Sequence, residues 1–565
     1  MATYEAYLEN SDSGACMAHV PDLPGCFVAA ADRERALARL PAAIQAYLAH
    51  LQTHGESWDM PQSIEVAVVE EKERSGPFHP DDRAALFEHD RRPLSRDEIE
   101  RYLDLAAYNR ADLLALVRGL SNTMLAWRPR PEAMSIGRIL AHIGRAELWY
   151  ISRITEVDAS APDWRELPGR QFLTLARDML VECFRSLSDE QLTAVTHPPI
   201  SSGANREPWT ARKALRRMLE HEREHAAHIE EVLFDWRKDL MARLAATRSS
   251  FVWQLVALDE ETLKGAPLFN AETEGAWTAK DILAHVAAWD ELYGQRTGLV
   301  GQGRAAEITS VDLETRNAVV TEERRDWTLD EAVKALNIAR DDYLVALGGL
   351  SDRELHRRYK LPWGTRTAPA TWARWRFRHD DRHTKDLLKW RDQAKPRPAA
   401  GPKAVLQAAL ESGRSEMLAT AALVSASERQ TRPVCGVWTL KDVLGHVADW
   451  EWYGVEKLDG PPSRRSLDIR FRGIQDWNEA HAAARKDQPW DEVWSDFQAA
   501  RLAMGQLLEK MSQDDLAQPF TVPWSRKWTV YRWIHLWLHH EREHAADLRD
   551  NLDLPRWPRR LKHFG

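Results

Sequence analysis

His540-Glu541-Arg542-Glu543-His544 sets the reading of this chain, because its pattern occurs three times. His221-Glu222-Arg223-Glu224-His225 is almost a copy, and His379-Asp380-Asp381-Arg382-His383 is a looser one. Histidines spaced i, i+4 lie on one face of a helix with Cβ atoms about 6 Å apart, where one metal ion can take a nitrogen from each. A third histidine stands upstream of each pair, in a second repeated phrase. Trp277-Thr278-Ala279-Lys280-Asp281-Ile282-Leu283-Ala284-His285-Val286 matches Trp438-Thr439-Leu440-Lys441-Asp442-Val443-Leu444-Gly445-His446-Val447. Met134 to Ile143, containing His142, is a worn version with Met134 in place of the tryptophan. His285 to His379 spans 94 residues, as does His446 to His540, so these two units repeat at an offset of 161. The first unit is shorter, with 79 residues from His142 to His221.

Composition sets outer limits. A chain of 565 residues exceeds any single core; at roughly 150 residues per domain, about four are expected. The 44% hydrophobic and 29% charged content is that of a globular protein, and no run of 18 apolar residues occurs, so no membrane span is expected. The first residues have neither a basic flank nor an apolar segment, which predicts no secretory signal. Cys16, Cys26, Cys183 and Cys435 form no disulfide framework and no CxxC pattern, which points to a reducing cytoplasm. The net charge of −9, with acids and bases interspersed, gives no footprint for nucleic acid. No Walker loop or GxGxxG fingerprint suggests a nucleotide.

Taken in order, residues 1–71 read as a small α+β domain. Tyr4 to Leu8 alternates like a strand, Cys16 to Val20 suits its hairpin partner, Asp32 to Thr53 has helical spacing after an Asp32 cap, and Ile64 to Val69 closes a ββαβ order. Residues 72–93 are polar and proline-punctuated, suiting a linker. The helical period then takes over. In the unit 94–237, Ser95 caps a helix carrying Ile99, Leu103 and Leu113, a second helix from Ser135 carries His142, a third lies at Phe172 to Leu187, and a fourth runs from about Trp209 to Trp236. The pattern repeats over 238–395 and 396–553, with a proline-rich joint at Lys395-Pro396-Arg397-Pro398 and a tail at 554–565. The expected class is mainly all-α, three tandem four-helix bundles behind the α+β domain.

Two resemblances follow from these residues. The phrase His19-Val20-Pro21-Asp22-Leu23-Pro24-Gly25-Cys26 and the element order of residues 1–71 resemble the HicB-like family, known from antitoxins of toxin–antitoxin pairs, which implies an accessory, dimerising or partner-recruiting module. One histidine on helix 2 and an HxxxH pair on helix 4 of a four-helix bundle is similar to the DinB/YfiT-like superfamily. The phrases Trp277 to Trp289 and Trp438 to Trp450 look most like its ClbS/DfsB-related branch. The resemblance implies three metal sites: His142, His221 and His225; His285, His379 and His383; His446, His540 and His544. It implies a divalent ion (zinc, nickel, manganese or iron), a small-molecule substrate, thiol transfer or hydrolysis of an electrophile, a low-molecular-weight thiol cosubstrate, and homo-oligomers formed through bundle faces or the N-terminal domain.

The chemistry suits the residues. Three neutral imidazoles on one side of an ion leave positions open for water and substrate, and the ion lowers the pKa of bound water from 15.7 to about 7. An acid follows the first histidine of each pair (Glu222, Asp380, Glu541) and another lies five residues after the upstream histidine (Glu147, Asp290, Glu451). They are expected either to orient ligands or act as base, or to be solvated helix surface. Trp149, Trp289 and Trp450 read as pocket lining or core, and Trp363 and Trp524 as a matched turn. His-Glu-x-x-His also fits a zinc metalloprotease. Asp380 in the middle copy and an upstream third histidine argue against that. The remaining alternative is a non-catalytic metal-binding stress-response or interaction protein.

Overall fold

Alternation and turn chemistry at the N-terminus build a sheet in the order β3-β2-β1-β4. The strands are β1 (Ala2–Ser11), β2 (Cys16–His19), β3 (Phe27–Ala30) and β4 (Ile64–Arg74), with helix α1 (Arg33–Thr53) between the last two. The computed structural model describes residues 1–74, 84–155, 169–197, 207–265, 277–461, 464–467, 473–522 and 525–552. β1 pairs antiparallel with β2 and parallel with β4. Asp32 accepts the Arg35 N–H at 2.7 Å and caps α1, whose Leu40, Ile44, Tyr47 and Leu48 are buried. The order is βββαβ and not ββαβ. Four residues after the Pro24-Gly25 turn pair with β2, a strand too short to stand out from flanking turn signals.

The expected linker 72–93 is not loose where it is described. Residues 72–74 continue β4, Phe87 is fully buried, and the Asp90 carboxylate receives Arg216 at 2.9 Å. The remainder of that segment (75–83), the tail 554–565 and Trp524 lie outside the described residues.

The first bundle consists of α2 (Arg96–Leu116), α3 (Asn122–Ala126), α4 (Ile136–Ile154), α5 (Gly169–Ser186), α6 (Asp189–Thr193) and the first part of α7 (Ala211–Trp253). Ser95 and Glu98 form a capping box at the start of α2. α4 and α5 touch so closely at Gly144 that a Cβ there would stand 2.8 Å from the Phe172 ring. The sheet and this bundle share one core, in which Leu8, Leu40 and Tyr47 join Leu215, Met218 and Leu219. They form one compact unit, residues 1–128 with 132–232.

The second and third bundles make up the other unit. The second takes the latter part of α7, then α8 (Glu260–Gly265), α9 (Ala279–Gly301), α10 (Leu313–Glu323), α11 (Leu329–Gly348), α12 (Asp352–His356) and α13 (Pro369–Ala394). The third takes α14 (Lys403–Ala421), α15 (Leu440–Leu458), α16 (Ile474–Arg485), α17 (Trp490–Lys510), α18 (Gln513–Ala517) and α19 (Val530–Asn551). Phe251 and Leu255 share a core with Tyr531 and Ile534, and the Ala257 N–H donates to the Tyr531 hydroxyl at 2.8 Å. Trp363 sits in a tight turn closed by the Gly364 N–H on the Leu361 carbonyl.

The boundary expected at 237/238 falls inside α7, which runs 43 residues without interruption. The stretch Asp235 to Arg243 has no glycine or proline to stop a helix. None of the helices described is long and apolar enough to cross a membrane.

Candidate metal centres

Each bundle presents its upstream histidine from its second long helix and its pair from its last. In the first bundle α4 carries His142 and α7 carries His221 and His225. In the second, α9 carries His285 and α13 carries His379 and His383. In the third, α15 carries His446 and α19 carries His540 and His544. Hydroxyl caps fix where the upstream helices start: Ser135, Thr278 and Thr439 each accept the N–H three residues on, so the histidine falls in the second turn each time.

The ligand atoms of each triad lie within 4.8 Å of one another. The Nε2 atoms of His142 and His221 are 3.1 Å apart. In the second triad, His379 Nε2 stands 2.9 Å from His285 Nε2 and 3.3 Å from His383 Nε2. In the third, His540 Nε2 lies 3.0 Å from both His446 Nε2 and His544 Nε2. Two nitrogens held on one ion at about 2.1 Å and at right to tetrahedral angles stand about 3.0–3.4 Å apart, so these separations fit a shared cation. Burial, reinforced by neighbouring charges and rings, holds His221, His285, His379 and His540 well below the ordinary imidazole range. His446 is pushed down to about 3, first by burial and then by His544 and His481. Neutral rings are the ligating form.

The acids singled out from the sequence are not helix surface. In the first bundle Glu147 and Glu222, both about 1–2% exposed, face Arg110 of α2 and Arg177 of α5. Arg110 donates to Glu222 Oε1 (2.6 Å) and Glu147 (2.7 Å), while Arg177 donates to Glu147 (2.7 Å) and Glu222 Oε2 (2.6 Å). The third bundle repeats the box. Arg414 of α14 donates to Glu451 (2.6 Å) and forms an ion pair with Glu541 Oε1 (2.9 Å), and Arg501 of α17 donates to Glu451 (2.7 Å) and Glu541 Oε2. In the second, Arg248 and Arg340 bridge Asp290 and Asp380 at 2.6–3.2 Å, and Arg376 adds a third guanidinium on Asp290 at 2.8 Å. The arginines hold Glu222, Asp290 and Glu541 below the usual carboxylate range against the burial that opposes it. Glu222, Asp380 and Glu541, expected as candidate bases, are therefore fully engaged ion-pair partners beneath the triads.

Sequence reasoning missed the seven arginines of these boxes, although Arg340 and Arg501 stand one repeat apart at 161 residues. It also missed the tryptophan cover. Trp277 lies over His285 with ring centroids 4.8 Å apart, and Trp438 over His446 at 4.6 Å. Trp289 and Trp450 donate from their indoles to Asn317 of α10 (3.1 Å) and Asn478 of α16 (2.9 Å), pinning the extra helix present in both. Trp149 packs edge-on against Trp209.

Two further groupings were not foreseen. His50 of α1 and His54, which caps its C-terminus, come within 3.1 and 3.2 Å of one oxygen of Asp112 on α2. Beside the third triad, the Cys435 thiol lies 3.8 Å from His544 Nδ1 and donates to Asp547 at 3.3 Å. Burial, then Asp547, pushes that thiol up to about 11, so it stays protonated. A cavity of about 590 Å³ between the second and third bundles is lined by Arg248, Arg340, Arg414 and Arg501 and by no triad histidine. A more open one of about 530 Å³ is bordered by Asp449, Tyr453, Trp477 and His481, on the α15–α16 side of the third bundle.

The family profile of the DinB superfamily matches residues 106–229, 243–387 and 409–548. That of the HicB_like antitoxin of bacterial toxin-antitoxin system matches residues 4–77. No curated protein and no solved structure matches the chain.

Proposed function

Since the chain belongs to the DinB superfamily through three tandem domains behind a HicB-like antitoxin domain, we propose that it is a divalent-metal-dependent enzyme acting on a small electrophile by thiol transfer or hydrolysis. One observation carries this reading: in each bundle three buried or half-buried imidazoles from two helices come within 4.8 Å of one another, with Nε2 pairs at 2.9–3.3 Å that suit an ion. A divalent ion held there supplies the Lewis acidity that makes a water or thiol nucleophilic near neutral pH.

The chain's own residues do the rest. The imidazoles of two helices would hold the ion. The arginine–carboxylate boxes fix the two histidine-bearing helices against each other, and so fix the rings. We assign Glu222, Asp380 and Glu541 to that positioning role, because arginines occupy their oxygens. Cys435 lies beside His544 of the third triad and donates to Asp547.

The test is metal content by inductively coupled plasma mass spectrometry, together with turnover of 1-chloro-2,4-dinitrobenzene with and without glutathione. We expect bound zinc, nickel, manganese or iron, and metal-dependent loss of chloride that His446→Ala lowers and the combined His142→Ala, His285→Ala, His446→Ala variant abolishes. Protein that takes up none of these ions overturns the reading. Metal without turnover of this or other electrophiles leaves the non-catalytic, metal-binding interaction protein in its place.

A further inference from the structure

The three triads use the same ligands at the same helical positions, and one residue sets the middle triad apart. Three residues before the paired histidines, the first bundle has Met218, the third has Trp537, and the second has Arg376. Arg376 is 2% exposed. Its Nε donates to Asp290 Oδ1 at 2.8 Å, and one of its Nη atoms donates to His379 Nδ1 at 2.9 Å. A guanidinium has only donors, so Nδ1 of His379 is the accepting nitrogen. The single ring proton of neutral His379 then sits on Nε2, the atom that faces the other two histidines. From there it reaches His285 Nε2 at 2.9 Å and His383 Nε2 at 3.3 Å, so a proton occupies the centre where a cation would bind.

Charge points the same way. The flanking boxes balance two arginines with two glutamates. The middle box sets Arg248, Arg340 and Arg376 against Asp290 and Asp380, with Asp341 near the first two arginines and Asp386 3.2 Å from His383. The third guanidinium lies within hydrogen-bonding distance of the triad, inside a core where like charges are poorly screened.

We infer that the middle triad is a proton-bridged, metal-free centre kept so by Arg376, and that the chain loads metal in its first and third bundles only. This rests on the reading that DinB-type triads in this chain hold metal.

The experiment uses the full chain, stripped with chelator, incubated with zinc alone, desalted and assayed for bound zinc. The wild type should retain about two equivalents, His285→Ala should still retain two, and His446→Ala should retain one. Arg376→Met, which installs the first bundle's residue, should bind a third equivalent, with affinity at that site raised about 10–100-fold, the usual effect of a group bonded to a ligand. Three equivalents in the wild type, one of them lost in His285→Ala, overturns the inference. So does a folded Arg376→Met protein that takes up no additional zinc. The His285→Ala comparison decides the matter even if Arg376→Met does not fold. A wild type that binds no zinc, beside an Arg376→Met variant that binds one equivalent, overturns loading of the first and third bundles while leaving the role of Arg376 intact, and sinks the metal-enzyme reading when nickel, manganese and iron are not taken up either.

Discussion

The second and third bundles hold their ligands at the same spacing of 94 residues and under the same tryptophan cover, Trp277 on His285 and Trp438 on His446. Beneath the ligands they part. The third balances Arg414 and Arg501 with Glu451 and Glu541, while the second sets three guanidinium groups against Asp290 and Asp380. Ligand spacing belongs to the repeat, whereas the electrostatic setting of each centre belongs to single residues one layer below.

The sharpest way to break this comparison is to open both boxes. Glu541→Gln in the third bundle and Asp380→Asn in the second each leave buried guanidinium charge without its partner, at a cost of about 3–5 kcal/mol. The second, already one carboxylate short, should lose more, read as the larger fall in midpoint by differential scanning calorimetry. Equal losses would mean that Arg376 is balanced by something other than Asp290.

A smaller effect comes from pH. The depressed imidazoles take up no proton in the folded chain until far below the unfolded value of about 6.5. Their contribution to stability is complete above that value and is lost as pH falls, down to about 3 for His446. Metal-free protein should therefore unfold at lower temperature at pH 5 than at pH 7.5, with each such ring contributing at most about 1.4 kcal/mol per pH unit. His446→Gln should flatten that slope, measured by thermal melts across the range.

The smallest effect should come from the residues around His544. Asp386 lies 3.2 Å from His383 Nδ1, whereas Asp547 lies 3.9 Å from His544 Nδ1 with Cys435 alongside. Cys435→Ser should change zinc affinity of the third bundle by less than about tenfold, and Asp547→Ala by about tenfold, in competition titrations.

Much of the architecture was legible because it is periodic. The i, i+4 pairs, the hydroxyl-capped helix starts and the repeat offset place all nine histidines on helices, and the structure gathers them in threes. What was not legible lacks a local signal. The boxes join residues tens of positions apart on four helices, such as Arg177 with Glu147 and Glu222. Arg376 adjoins the HxxxH phrase, yet its contact with His379 becomes visible only once the side chain is seen turned inward. That α7 runs unbroken through the boundary at 237/238 was legible in Asp235 to Arg243, where nothing stops a helix, and the two compact units part inside that same helix, at 232/233. Acids beside HxxxH look alike whether solvated or buried, and only packing shows Glu222 at 1% exposure.

Asp290 and Asp380 are each one methylene shorter than the glutamates of the flanking bundles, and the buried Arg376 bonds Asp290 beside them. Restoring either glutamate while Arg376 is present would crowd a packed interior, so the acids and the arginine have to be exchanged together. The middle bundle therefore tolerates the swap of its whole charge set better than the swap of any single member.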